Sequence, residues 1–233
     1  METVDIIREV VEDISIVFTA KTIVDNGNGT YTLTTNDTMY LQEKFSITID
    51  SVVYEIESTV KDVSITIIGT ILPVIKVFNI YAPVYYHGTV IKVKSEINGE
   101  VDSHNVFSHT PFIYLREIIE DENESKYSEK PIAKTTSLQI LFLTQCNYED
   151  WLVVDHYSKS IYQMRKLVDR FIDSVYLNKK IGRFDTFRTK NHVNFGVYVT
   201  DKGAAKSVFT DNLSGIELNI TLPFKKTTPI CNV

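Results

Sequence analysis

The sequence predicts an α+β fold: an antiparallel sheet packed by one long helix and a short N-terminal helix, with an inserted small β-barrel or sandwich. Three observations carry that expectation. Residues 137–175, SLQILFLTQCNYEDWLVVDHYSKSIYQMRKLVDRFIDSV, pass from an apolar strand through an aromatic, acidic loop into an amphipathic helix of about six turns. Residues 15–93 instead alternate apolar and polar with period two, interrupted by Asn/Gly-rich turns. The first residues, METVDIIREVVEDI, carry one more short amphipathic stripe.

In chain order, residues 4–13 read as a helix because Ile6, Ile7, Val10, Val11 and Ile14 fall on one face, opposite Asp5, Arg8, Glu9 and Glu12. So short a helix is marginal alone, and its stripe has to dock. Residues 15–22 read as a strand. Asp25-Asn-Gly-Asn-Gly-Thr30 turns the chain, since Asn and Gly tolerate positive φ, and residues 31–35 return. Residues 45–49 and 53–57 flank Asp50-Ser51 as a second hairpin, and strands at 63–68 and 74–81 follow. Strands this short and close fit a barrel or sandwich of about 70 residues.

Residues 86–111 read as loop, 112–119 as strand, and the polar, charge-mixed 121–137 as an exposed arm. Residues 138–144 form the next strand. The long helix spans about 155–176 with Tyr157, Ile161, Met164, Val168, Phe171, Ile172 and Val175 on its apolar stripe, and Arg165 placed to pair with Asp169. A turn at 179–182 leads to strands at 193–200 and 216–224. The economical grouping joins residues 1–14 and 110–224 in one α+β domain, leaves 15–95 as an inserted β-rich domain, and ends in a polar tail, 225–233.

Composition narrows the function classes. The 43% apolar and 23% charged fractions are those of a globular chain, and a net charge of −6 argues against a broad nucleic-acid surface. The acidic N-terminal stripe is unlike a signal peptide, and no apolar run approaches the roughly 20 residues of a membrane span. These features lead us to expect a soluble protein made in a cytoplasm. Cys146 and Cys231 show no disulfide framework spacing.

Each cluster of chemistry-bearing residues has a plainer structural reading beside it. His87, His104 and His109 lack the short regular spacing of metal ligands. Cys146 and His156 are a thiol and a base near one another in sequence, but a Cys that ends an apolar strand reads as a small buried hydrophobe. Glu149, Asp150 and Asp155 surround Trp151; Asp155 fits a helix cap, and Trp151 a core or subunit-contact anchor. Lys179, Lys180, Arg183, Arg188 and Lys190, interleaved with Phe184 and Phe187, could line a DNA channel or simply occupy a helix end and a loop. No Gly-rich phosphate loop, nucleophile elbow or Rossmann fingerprint occurs.

Residues 142–173, FLTQCNYEDWLVVDHYSKSIYQMRKLVDRFID, and residues 213–224, LSGIELNITLPF, resemble structural proteins of tailed bacteriophages of Bacteroidetes hosts, including crAss-like phages. The order of short helix, strands, long helix and final strand pair resembles their tail-terminator and head–tail connector proteins. The resemblance covers about half the chain, residues 1–14 and 110–224, and rests on packing patterns. It implies a non-enzymatic virion protein without cofactor or metal, made in the host cytoplasm. Such a protein assembles head-to-tail with itself, in a ring on the order of six or twelve copies, in the neck or tail. Its partners would be the portal, other neck and tail proteins, and DNA that slides past without sequence-specific binding. Under this reading Trp151, Tyr148, Arg165 and Arg170 are candidate subunit contacts, and Lys179, Lys180, Arg183 and Arg188 candidate channel residues. Residues 121–137 and 225–233 would order only on assembly. Two alternatives are a receptor- or carbohydrate-binding virion protein presenting Tyr40, Tyr81, Tyr85 and Tyr86, and a small enzyme centred on Cys146 or the carboxylates.

Overall fold

A computed structural model describes residues 2–14, 16–43, 45–80, 83–101, 111–125, 129, 132–146, 150–199, 205–207 and 212–226. The fold is α+β: a long helix and a short N-terminal helix pack on a mainly antiparallel sheet, beside further antiparallel sheets formed by the β-rich residues.

Helix α1 (Thr3–Glu12) buries Ile6, Ile7, Val10 and Val11, as its stripe predicts. Strand β1 (Ile16–Thr19) and β2 (Thr22–Asp25) replace the single strand expected over 15–22. The chain breaks at Ala20, whose N–H bonds to the Lys76 carbonyl (2.7 Å) while the next N–H, of Lys21, bonds to Thr34 (2.8 Å), so the two halves join different sheets. Strands β3 (Thr30–Thr34), β4 (Ser46–Ile49), β5 (Val52–Val60) and β6 (Ser64–Ile68) complete a five-stranded sheet in the order β2-β3-β6-β5-β4. The expected Asp50-Ser51 hairpin is present, with φ of 49° and 67° at its two central residues, the twist-compatible turn for a two-residue connection. Gly27 and Gly29, both at φ 79°, supply the other turn. Strand β7 (Val77–Ile80) pairs with β1.

Residues 86–111, expected as loop, instead begin with the end of β8 (Val84–Gly88) and helix α2 (Val90–Val101). Strand β8 lies parallel to β9 (Phe112–Arg116), and a parallel pair needs a crossover, which the intervening segment provides. The polar segment 121–137 is likewise no arm over its described residues. Strand β10 (Glu120–Asn123) pairs with the first part of β11 (Ile132–Gln145), which starts six residues before the predicted strand. Thr-rich 134–137 is a strand because cross-strand pairing, not hydrophobicity, holds it.

The long helix is nearly continuous: α3 (Val153–His156), one wider π turn (Tyr157–Ile161) and α4 (Tyr162–Leu177). Its stripe is buried as expected from Ile161 to Val175, with Leu167 added, whereas Tyr157 faces solvent. Arg170 pairs with Asp173 at 3.7 Å; the anticipated Arg165–Asp169 pair does not close among the described residues. Strand β12 (Phe187–Phe195) begins inside the basic run, β13 (Val197–Val199) and β14 (Ala205–Ser207) form a small hairpin, and β15 (Leu213–Lys225) closes the fold.

The main sheet runs β12-β15-β11-β9-β8, with β10 continuing beside β11. One face carries Leu138, Ile140, Phe142, Ile216, Leu218 and Ile220 into the core against α1 and α4, where Phe142 meets Phe171 edge-on at 5.5 Å. That core continues without a break into Ile47, Ile49, Tyr54 and Ile56 of the five-stranded sheet. On the opposite face a smaller cluster, Tyr86, Val93, Phe112, Tyr114, Leu141, Leu143 and Leu213, is covered by α2. The remainder of that second face carries Ser137, Gln139, Glu217, Asn219 and Thr221, and among the described residues no helix covers it.

Candidate functional site

The open part of the second face is a groove of about 620 Å³. Its floor is built from alternate residues of the two longest strands. Ser137 and Gln139 on β11 and Asn219 and Thr221 on β15 are direct cross-strand partners, so period two puts all four on one side. Ser137 and Thr221 hydroxyls are 3.1 Å apart. One wall holds Ile118 and Glu120; the other is the 183–188 segment with Arg183 and Arg188.

Next to the floor a polar chain crosses four strands. Arg116 donates to Gln139 Oε1 (2.6 Å), Gln139 Nε2 donates to Glu217 Oε1 (2.6 Å), and His192 Nε2 lies 2.8 Å from Glu217 Oε2. Asn219 also donates to Glu217 (2.8 Å). Burial would raise the Glu217 carboxyl, but the bonds from Asn219, His192 and Gln139 outweigh it and hold the group below its ordinary range. The chain fixes the strands laterally and offers side-chain amides and hydroxyls along the groove.

Of the basic residues expected at a channel, Arg183 and Arg188 line the groove and Lys179 and Lys180 do not. Lys180 is spoken for by α1: its Nζ lies 2.8 and 2.5 Å from the two Glu9 carboxylate oxygens. Lys179 is exposed at the end of the long helix, away from the groove lining. Arg183 and Arg188 share the groove lining, and Lys190 follows Arg188 on the same face of β12, two residues on.

Trp151 is half-buried at the entrance to the long helix. It meets His156 edge-on (5.3 Å), with Lys159 Nζ 5.2 Å from its ring centre. Asp155 does assist the helix start, but from the first turn: its Oδ2 accepts the N–H of Leu152 at 3.0 Å, and Leu152, at the cap position, has no side-chain oxygen. Leu152, Val153 and Val154 are 70%, 65% and 68% exposed, and Tyr157 42%. This apolar turn touches the sheet edge where Asn191 Nδ2 donates to Tyr157 Oη (3.5 Å). Arg165 and Arg170 are exposed farther along the helix, roughly four and five turns on, and do not join Trp151 in a single patch.

Several remaining candidates are structural. Cys146 is buried with its Sγ 3.9 Å from the Val193 carbonyl, and burial pushes its thiol up, partly offset by Ser214. Burial lowers His156, partly offset by Asp155. Tyr40 and Tyr86 are core residues and Tyr85 is half-buried, with Tyr40 and Tyr85 both raised by burial. His87 Nδ1 sits 3.2 Å from the Leu115 carbonyl. Tyr81, His104, His109, Tyr148, Glu149 and Cys231 lie outside the described residues, as does most of the tail. Among the described residues no group of three or more His, Cys, Asp or Glu could hold a metal, and no helix is long and apolar enough to cross a membrane.

Sequence reasoning missed one polar cluster entirely. Lys166 on α4 lies 2.5 Å from Asp37 Oδ1 and 2.7 Å from Asp62 Oδ1, and Tyr162 donates to Asp62 Oδ2 (2.5 Å). Both aspartates are in turns of the five-stranded sheet, more than a hundred residues away in the chain, and no local motif announces them. No protein-family profile, curated protein or solved structure matches the chain.

Proposed function

We propose that the chain is a structural subunit of a ring in the neck or tail of a tailed bacteriophage, joining head to tail around the DNA channel, and that it works by assembly rather than catalysis. The observation that carries this reading is the exposed apolar turn Leu152-Val153-Val154 with Tyr157 and the half-buried Trp151 beside it. A row of apolar side chains at a helix start costs solubility in a lone subunit and suits an interface with another protein. It sits at one lateral end of the main sheet, where a head-to-tail contact repeated around an axis would close a ring. The order of short helix, strands, long helix and closing strands supports the same reading through its likeness to neck proteins. For the alternative of a glycan-binding virion protein, Tyr40 and Tyr86 are core residues and Tyr85 is half-buried, and Tyr81 lies outside the described residues.

The test is assembly. Sedimentation velocity of the purified chain, across concentration, is expected to show a discrete oligomer on the order of six or twelve copies, and Val154→Glu is expected to dissociate it. Antibody labelling should place the protein at the neck or tail of virions. A chain that stays monomeric at every concentration and is missing from virions would overturn the reading.

A further inference from the structure

Two strands of the main sheet, of opposite charge, keep one side unpaired among the described residues: β10, which flanks β11 below β9, and β12, which ends the strand order. Strand β10 presents Glu120-Asp121-Glu122-Asn123, all exposed, and among the described residues pairs only with β11. Strand β12 presents Phe187-Arg188-Thr189-Lys190, also exposed, and among the described residues pairs only with β15. Exposed edges of this kind are templates for pairing with another chain. The charges that would be expected to block such pairing here are sorted by sign, acidic on one edge and basic on the other.

The strand directions and faces also agree. Strand β10 is antiparallel to β11, β11 to β15, and β15 to β12, so β10 and β12 run oppositely on the two sides of the β11–β15 pair. A second copy placed beside the first with the same face forward therefore meets β10 with an antiparallel β12. Glu120 is cross-strand from Ser137, and Arg188 from Asn219, which itself pairs with Gln139; these place Glu120, Glu122, Arg188 and Lys190 on the same polar face. Glutamates two residues apart then face cations two residues apart, Glu120 opposite Lys190 and Glu122 opposite Arg188. Opposite charges in that position favour pairing and like charges oppose it. None of the four makes an ion pair within its own chain among the described residues.

We infer that copies of this chain join by edge-to-edge β-pairing, with the acidic β10 of one copy on the basic β12 of the next. The inference rests on the ring reading above and names its interface. In that register Glu120 aligns with Ser137 of its own β11, whereas Lys190 aligns, through Glu217, with Leu141, a stagger of four positions (141 − 137) per copy. A stagger is what closing a sheet around an axis requires, with strands tilted to the axis. The apolar turn at Leu152–Val154 is continuous with the β12 edge through Tyr157 and Asn191 and would be covered by the same neighbour.

Charge reversal tests it. The pair Arg188→Glu/Lys190→Glu and the pair Glu120→Lys/Glu122→Lys are each expected to reduce the oligomer to monomer in sedimentation velocity, with the circular dichroism spectrum unchanged. Mixing the two variants, or combining all four substitutions in one chain, should restore assembly. An oligomer untouched by either reversal but dissolved by Val154→Glu would sink the edge pairing and leave the ring reading standing. Charge-dependent assembly into open filaments under the electron microscope would uphold the pairing and sink the ring. A folded four-fold variant that fails to reassemble, or a wild-type chain that never assembles, would overturn the pairing.

Discussion

Lys166 Nζ and Asp62 Oδ1 stand 2.7 Å apart, and through that contact the long helix grips a turn of the five-stranded sheet. Asp37 closes on the same ammonium from a second turn (2.5 Å), and Tyr162 donates to Asp62 from one helical turn earlier. Burial alone would lower Lys166, but the hydrogen bonds of Asp37, Asp62 and Tyr162 hold it well above the ordinary lysine range. The apolar core already runs between the two sheets; the cluster fixes how the turns lie on the helix.

Replacing Lys166 by Met should therefore loosen that junction. It leaves two carboxylates without their cation, and because the group is only partly buried the cost is discounted to about 1–2 kcal/mol, a melting shift of roughly 2–8 °C. Differential scanning calorimetry measures it; an unchanged melting temperature would remove the clamp from the account.

The same cluster gives an acid signature. Burial would raise Asp62, yet bonds from Lys166, Tyr162 and the Thr38 N–H outweigh it and hold the carboxyl at about 2. A depressed carboxyl stabilises the fold above its unfolded value, near 3.9, and loses that contribution as pH falls toward 2. Denaturation at stepped pH should show stability falling through that window, and Asp62→Asn should flatten the fall. Equal slopes in the two proteins would contradict the assignment.

Among the described glycines, Gly215 leaves the least room for a side chain. A Cβ built there lies 1.9 Å from the Phe142 carbonyl oxygen, against backbone that cannot yield without parting β11 from β15. Gly215→Ala is expected to cost on the order of 4 kcal/mol, about 10 °C in melting temperature, or to leave the protein insoluble. A variant with near-normal melting would show that the strands can separate locally.

Cys146 should be slow to react. Its thiol is buried and pushed up, so little thiolate is present at pH 8. In a Cys231→Ser background, a thiol-specific chromogenic reagent should label the native protein on the order of tenfold or more slower than the denatured one. Equal rates would return Cys146 to the list of reactive residues.

What was legible in the sequence was whatever rests on local periodicity. The stripe of Ile6, Ile7, Val10 and Val11, the helical stripe from Ile161 to Val175, the Asp50-Ser51 turn and the apolar strand over 138–144 each encode one element through spacing alone. The first misreadings came where an element is held by its neighbours. Residues 132–137 are strand because β10 and β15 flank them, β8 exists as the parallel partner of β9, and Lys180 is neutralised by a Glu9 that lies at the other end of the chain.

By itself, then, the sequence determined the α+β class, the amphipathic helices and the hairpins, because hydrophobic period and turn chemistry act over a few residues. Only the tertiary structure decided that Tyr40 and Tyr86 are core, that Asp37, Asp62, Tyr162 and Lys166 converge, that Arg183 and Arg188 face a groove without Lys179 and Lys180, and that acidic and basic strands lie on the two sides of the β11–β15 pair. Those relationships depend on strand order and register, and these are set by packing between segments far apart in the chain, which no local pattern records.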